Sequence, residues 1–238
     1  MRLKISSSPF NEVVSLGSYC VVRWQISRSI IRNIKPDVSD RDLSDHILGR
    51  KEGLLTTGTH VFDWLVSPSA GVLRLLNTDF DAAFLRENLR VTADGKNVCD
   101  TTTGFLFPHN FSHPGEIYTE QIIDQEFPEQ KHKMDHLIGK FRRMVKSSKR
   151  VLYVMTVPYT FLDYADVIRA IGNLGGEGHV FHVLFVKLHD TSFGFAKEAD
   201  AHTVAVISSE NRKPEYARWT GDDIHWGSIL DQIQVNPE

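Results

Sequence analysis

Apolar residues fall along the chain in two rhythms, and the change from one to the other lays out the elements. Glu12-Val13-Val14-Ser15-Leu16 is a short apolar run that ends at Gly17-Ser18, which predicts a buried strand and a tight turn. From Tyr19 to about Asn33, Val22, Ile26, Ile30 and Ile34 recur four apart, which predicts a helix with one apolar face. Pro36 stops that helix, and residues 36–58 read as a polar surface excursion. Within it Ser39 or Asp40 caps a short helix carrying Leu43, Ile47 and Leu48. Thr59 to Val66 is apolar apart from His60 and Asp63. Ser67-Pro68 then supplies a cap and first turn for a helix over Ser69–Leu76.

The middle of the chain is less regular. A second short helix is expected near Asp79–Glu87, and Val91 to Phe111, rich in Thr, Phe and Gly, reads as short strands or loop. Tyr118 to Ser148 is helical in pattern and is expected to break or bend at Pro128. Val151–Met155 predicts a buried strand, Thr160–Leu174 an amphipathic helix closed by Gly175-Gly176, and Val180–Leu188 another strand. His202–Ser208 reads as a third strand. Asp222–Ile233 reads as a final helix, with Trp226, Ile229, Leu230 and Ile233 on one face. Strand, helix, strand over Val151–Val186 is the right-handed crossover that builds parallel sheets. The fold expected is a single α/β domain over 1–238. It has a mainly parallel sheet, a strand-glycine-turn-helix opening, and helical insertions at about 36–58 and 112–148.

Composition narrows the classes of function. The 238 residues are 41% hydrophobic and 24% charged, with a formal charge of −3, so a dedicated nucleic-acid binder with its basic excess is not expected. Two cysteines, Cys20 and Cys99, are too few for a disulfide framework and point to a reducing compartment. No stretch approaches the ~18 consecutive apolar residues of a membrane span. Residues Met1 to Asn11 lack the apolar core of a secretory signal, so the expected location is cytoplasmic.

Cys20 is the leading chemical candidate. It falls in the first turn of a helix entered from a strand and a glycine turn, where unpaired N–H groups favour a thiolate. The same donors, with Gly17 and Ser18, could hold an anion or the oxyanion of an acyl intermediate. A small buried thiol would give the same pattern.

Asp63, between Phe62 and Trp64, needs a partner because an unpaired carboxylate is costly to bury. Arg23, Arg142 or Arg143 could supply it. His109 and His113 stand four apart, as do His132 and His136, but neither pair has a third ligand at metal-site spacing, so no metal or cofactor is expected. The basic run from Lys140 to Arg150 could hold a ligand phosphate or carboxylate, or simply complement a helix C-terminus.

Ser15-Leu16-Gly17-Ser18-Tyr19-Cys20, then Gln25 and Arg28, then Phe62-Asp63-Trp64 resemble a bacterial family catalogued as papain-like cysteine peptidases. The family's further motifs look like Asp79-Phe80, His109-Asn110-Phe111 and Arg142-Arg143 here. Val61 stands where the family has proline, and Asn110 where it has aspartate. The resemblance spans about 13–157. It implies a thiol hydrolase or acyl transferase with Cys20 as nucleophile, His109 as base and Asp63 orienting the base. Gly17, Ser18, Trp64, Asn110, Arg142 and Arg143 would line the substrate site. The substrate class it leaves open is a small molecule, glycan or peptide. A second resemblance is to SGNH-type esterases, whose closing Asp-x-x-His is matched by Asp222-Asp223-Ile224-His225, with Ser18 or Cys20 as nucleophile. A third reading is a non-catalytic binder of glycans or nucleotide-sugars, since relatives resemble proteins encoded with surface-polysaccharide enzymes.

Overall fold

The opening strand and the crossover predicted near residue 150 meet in one sheet. The computed structural model describes residues 9–17, 20–48, 59–113, 117–158, 163–188, 195–196, 203–209, 226–227 and 230. The elements are β1 (Glu12–Ser15), α1 (Cys20–Ile34), α2 (Asp40–Ile47), α3 (Ser69–Asn77), β2 (Leu89–Val91), β3 (Val98–Asp100) and α4 (Glu120–Val145). They continue with β4 (Arg150–Pro158), α5 (Tyr164–Gly175), β5 (Val180–Leu188), β6 (Phe195–Ala196) and β7 (Thr203–Ser209). The main sheet runs β1-β4-β5-β7-β6, parallel throughout except for β6, which lies antiparallel to β7. β2 and β3 form a separate antiparallel hairpin.

The strands are apolar on both faces because each face is covered. Alternation sorts their side chains into two cores. Val14, Val151, Tyr153, Met155, Val157, Phe181, Val183 and Phe185 pack with residues of α3, α4 and α5. Val13, Leu152, Val154, Leu184 and Val186 pack with Val21, Val22 and Ile26 of α1 and with Trp226 and Leu230. The result is an α/β domain with a mainly parallel sheet and helices inserted between its strands, as the pattern predicts. Among the described residues no helix is long and apolar enough to cross a membrane.

The segment after α3 differs from expectation. Residues 79–84 are not a helix. Asp79, Phe80, Ala82 and Phe84 all have left-handed backbone, with φ of 48°, 60°, 57° and 54°, a conformation that costs about 1–2 kcal/mol for each non-glycine residue. Aromatic packing offsets that cost. The Phe80 ring meets Phe62 and Phe141, and Phe84 meets Phe107, Phe111 and Phe127. From α4, the Arg142 guanidinium grips Asp79 at both its carboxylate (Nε to Oδ1 2.8 Å) and its carbonyl.

At Pro128 the helix is not broken: α4 runs on through the proline. The helix start is held from outside. Thr119 Oγ1 accepts from the Ile122 N–H, and Arg86 binds both Glu120 and Asp124. This anchoring, with the apolar face around Met134, Ile138 and Phe141, outweighs one lost backbone hydrogen bond.

Other expectations hold. Ser39 caps α2 by accepting from the Asp42 N–H, and α5 ends at Gly176, whose φ of 74° suits glycine at a helix stop. Of the final helix predicted over Asp222–Ile233, only residues 226, 227 and 230 are described, and they are helical.

Candidate functional site

The site forms where β1 hands over to α1. Gly17 has φ +83°, and a Cβ there would lie 1.9 Å from Ser67 Oγ, so the turn requires glycine for both conformation and space. The turn is bound on three sides. Gly17 N–H donates to Ser15 Oγ (3.0 Å), Thr156 Oγ1 of β4 donates to the Gly17 carbonyl (3.2 Å), and Leu16 N–H donates to the Val154 carbonyl (2.8 Å). Cys20 is the first residue of α1 and carries a free, half-buried thiol. Ser18 lies outside the described residues.

The surroundings of Cys20 reverse the electrostatic expectation. Burial pushes its thiol up from the ordinary value, its own backbone hydrogen bond pulls it down less, and the Asp63 carboxylate raises it further. Helix-start donors are present, but withdrawal from water and a neighbouring negative charge outweigh them. In the ground state the thiol is therefore protonated at neutral pH.

Asp63 sits in a buried turn over residues 60–64. Its Oδ2 accepts from the His60 N–H at 2.8 Å, and its own N–H donates to the His60 carbonyl at 3.1 Å, a reciprocal lock like that at a helix start. Of the three candidate arginine partners, Arg23 on α1 is the one that meets it. Nε lies 3.4 Å from Oδ2, with side-chain exposures of 7% and 1%. Burial pushes the Asp63 carboxyl up to about 6, against the pull of Arg23, the His60 N–H and Lys140. Lys140 reaches the same region from α4, donating from Nζ to the Thr59 carbonyl at 3.0 Å. Its own pKa is lowered, first by burial.

His60 is the residue that sequence reasoning passed over. It is 1% exposed, and among the described residues neither ring nitrogen has a hydrogen-bond partner; the same is true of Asp63 Oδ1. Burial, then Lys140 and Arg23, push the His60 ring down to about 3, so it is neutral at physiological pH and presents one donor and one acceptor. The available signal was a histidine three residues before Asp63 inside an apolar run.

His109 stands elsewhere. It is exposed, meets Trp64 edge to face (centroids 6.4 Å apart, planes at 82°), and is held below its ordinary pKa by burial and then by His113. Among the described residues no hydrogen bond joins Cys20 to any histidine. Trp64 adjoins Asp63, has φ 61°, and packs against the small core between α1 and α2. Asn110 is half-buried beside His109. Arg142 is committed to Asp79, and its neighbour Arg143 points to solvent on another side of α4. Asp222 and His225 lie outside the described residues.

The structure thus gathers Cys20, Arg23, His60, Asp63 and Lys140 around the Gly17 turn. Such a cluster sets a thiol, a carboxylate and two cations in one electrostatic environment. Among the described residues no group of three or more histidine, cysteine or acidic side chains could hold a metal ion. The chain matches no family model, no curated protein and no solved structure.

Proposed function

We propose that the chain is a cysteine-dependent hydrolase or acyl transferase, with Cys20 as nucleophile and Asp63 as the group that receives its proton. The observation that carries this reading is the placement of a free, half-buried Cys20 thiol at the start of α1, the helix whose Arg23 meets Asp63 at 3.4 Å. A carboxyl near pKa 6 is ionised at neutral pH, yet basic enough to accept a proton during attack. In the acylation step the Cys20 sulfur bonds to the acyl carbon while its proton moves to Asp63. The bond to the leaving group then breaks, and the leaving group takes that proton. Water or another acceptor subsequently releases the acyl group from sulfur. His109 serves this reading as part of an aromatic wall with Trp64 rather than as the base. The kinship implied by the Ser15–Cys20 and Phe62–Trp64 motifs agrees with a thiol enzyme.

The test is acylation by an activated ester, p-nitrophenyl acetate, followed by rapid kinetics and mass spectrometry. Wild-type chain is expected to show a burst of nitrophenol and an acetyl group on Cys20, with the burst lost in Cys20→Ala and slowed at least tenfold in Asp63→Asn. Equal burst kinetics in wild type and Cys20→Ala would refute the reading.

A half-buried thiol that no histidine approaches by hydrogen bond among the described residues is also compatible with a second reading, a non-catalytic glycan or nucleotide-sugar binder in which Cys20 only packs. In that case Cys20→Ser keeps ligand affinity, and the ester shows no burst.

A further inference from the structure

The segment from Asp79 to Phe84 is held in a conformation that its own residues disfavour. Asp79, Phe80, Ala82 and Phe84 are left-handed, with φ of 48°, 60°, 57° and 54°. Alanine and phenylalanine adopt this backbone rarely. Strain of this kind persists only where the surroundings over-determine it, and it gathers at switch segments.

Two kinds of contact hold it. On the inner side Phe80 meets Phe62 and Phe141, and Phe84 meets Phe107. The fit is incomplete, since a cavity of about 10 Å3 remains between Phe80, Ala83 and Phe84 and the side chains of Val61, Leu65 and Ile138. On the outer side the Arg142 guanidinium takes both the carboxylate and the carbonyl of Asp79. Ile138 and Arg142 stand four apart on α4, so one face of that helix supplies both cavity wall and fastening. The fastening lies at the surface, with side-chain exposures of 42% and 52%, where an ion pair is weak and screened by salt.

We infer that residues 79–84 are a strap with two positions. In the closed one, that of this structure, Arg142 is the latch. In the open one the latch is released, the left-handed residues relax and Phe80 lifts from Phe62. The strap bears on the candidate site through Phe62, the chain neighbour of Asp63, whose Cβ would lie 3.5 Å from a Cβ at Gly17. Val61 and Leu65, on either side of Phe62 and Asp63, line the same cavity. The closed strap therefore clamps the turn that carries Asp63, and the open strap loosens it. This is a regulatory role, and it stands whether or not Cys20 acts as a nucleophile.

Native-state hydrogen exchange on the full chain tests it. Phe80 N–H donates to the Leu75 carbonyl (2.8 Å), Asp81 N–H to the Thr78 carbonyl (2.9 Å) and Ala83 N–H to the Phe80 carbonyl (3.1 Å), so these amides exchange when the strap opens. They should exchange about a hundredfold or more faster than the amides of β4, with little dependence on urea below the unfolding transition, because local opening exposes little surface. Arg142→Gln should raise their rates about fivefold and abolish the rise that about 1 M salt produces in wild type. Ala82→Asn, which puts a residue tolerant of left-handed backbone at an exposed position, should slow them several-fold. The Asp63 N–H, which donates to the His60 carbonyl, should show the same small urea dependence and respond to both variants in the same directions. Strap amides that track β4 at every urea concentration, or that ignore both variants, overturn the strap. An Asp63 amide indifferent to both variants overturns its connection to the site.

Discussion

The Asp63 carboxylate and the Arg23 guanidinium form an ion pair at 3.4 Å with both side chains almost wholly removed from water. The pair ties the 60–64 turn to the first turns of α1, and so sets where Asp63 stands relative to Cys20. Removing one partner strands the other charge. Asp63→Ala or Arg23→Ala should each cost about 3–5 kcal/mol in urea unfolding. The double variant should cost less than the sum, because no buried charge is left alone.

The same turn gives stability two opposing pH dependences. Asp63 titrates near 6 when folded and near 3.8 otherwise, so the folded state holds its proton more tightly. Its contribution to stability is fully present below the lower value and is lost as pH rises through 6. His60 titrates near 3 when folded and near 6.5 otherwise, so its contribution is present above 6.5 and is lost as pH falls toward 3. Between about pH 4 and 6 the two slopes cancel, each being about 1.4 kcal/mol per pH unit. In chemical denaturation across this window, Asp63→Asn should show stability falling on acidification. His60→Gln should show stability rising. Parallel profiles for the two variants would contradict the assignment.

Thiol reactivity follows from the same charges. Iodoacetamide should modify Cys20 more slowly at pH 7 than an exposed, unperturbed thiol, because burial and Asp63 hold it protonated. Asp63→Asn should change the rate at Cys20 while that at Cys99 stays constant, so the change reports the carboxylate's effect on Cys20. Peptide mass spectrometry separates the two sites.

The opening turn should be intolerant of any side chain. Gly17→Ala places a Cβ at 1.9 Å from Ser67 Oγ and forces a left-handed backbone on alanine. A loss of about 2–4 kcal/mol is expected. Ser67→Ala combined with it should restore only part, because the backbone strain persists.

Adjacent arginines on α4 should differ. Arg142→Ala loses the bridge to Asp79, a half-exposed contact worth about 1 kcal/mol. It also loses the donor to the carbonyl of a left-handed residue. Arg143→Ala should change stability by less than about 0.5 kcal/mol, as expected of an exposed side chain. Thermal unfolding of the two variants provides the comparison.

Much of this architecture could be read from periodicity. β4 and β5 are continuous apolar runs because helices cover both their faces, and the strand-glycine-helix opening is a local pattern that survives any tertiary context. Residues 79–84 were illegible for the opposite reason. Their left-handed backbone is imposed by aromatic rings from Phe62, Phe141 and Phe107 and by Arg142, all remote in sequence. The site divides in the same way. Asp63 announced itself as a charge in an apolar run, and Arg23 was among its foreseeable partners. The environment of Cys20 was not foreseeable, since the helix-start effect is local whereas burial and the Asp63 charge arrive through folding. His60 escaped notice because a histidine in such a run is compatible with many kinds of packing.

The hydroxyl that ties down the Gly17 carbonyl comes from Thr156, a separation of 139 positions along the chain. β1 pairs in register with β4, so during synthesis the opening strand has no neighbour until residues near 150 have emerged. Long closures are slow and leave apolar segments uncovered for longer. A nascent chain halted ahead of β4 would therefore carry its cysteine on an unfastened segment, and the burial that sets that thiol's protonation arises only once most of the polypeptide has been made.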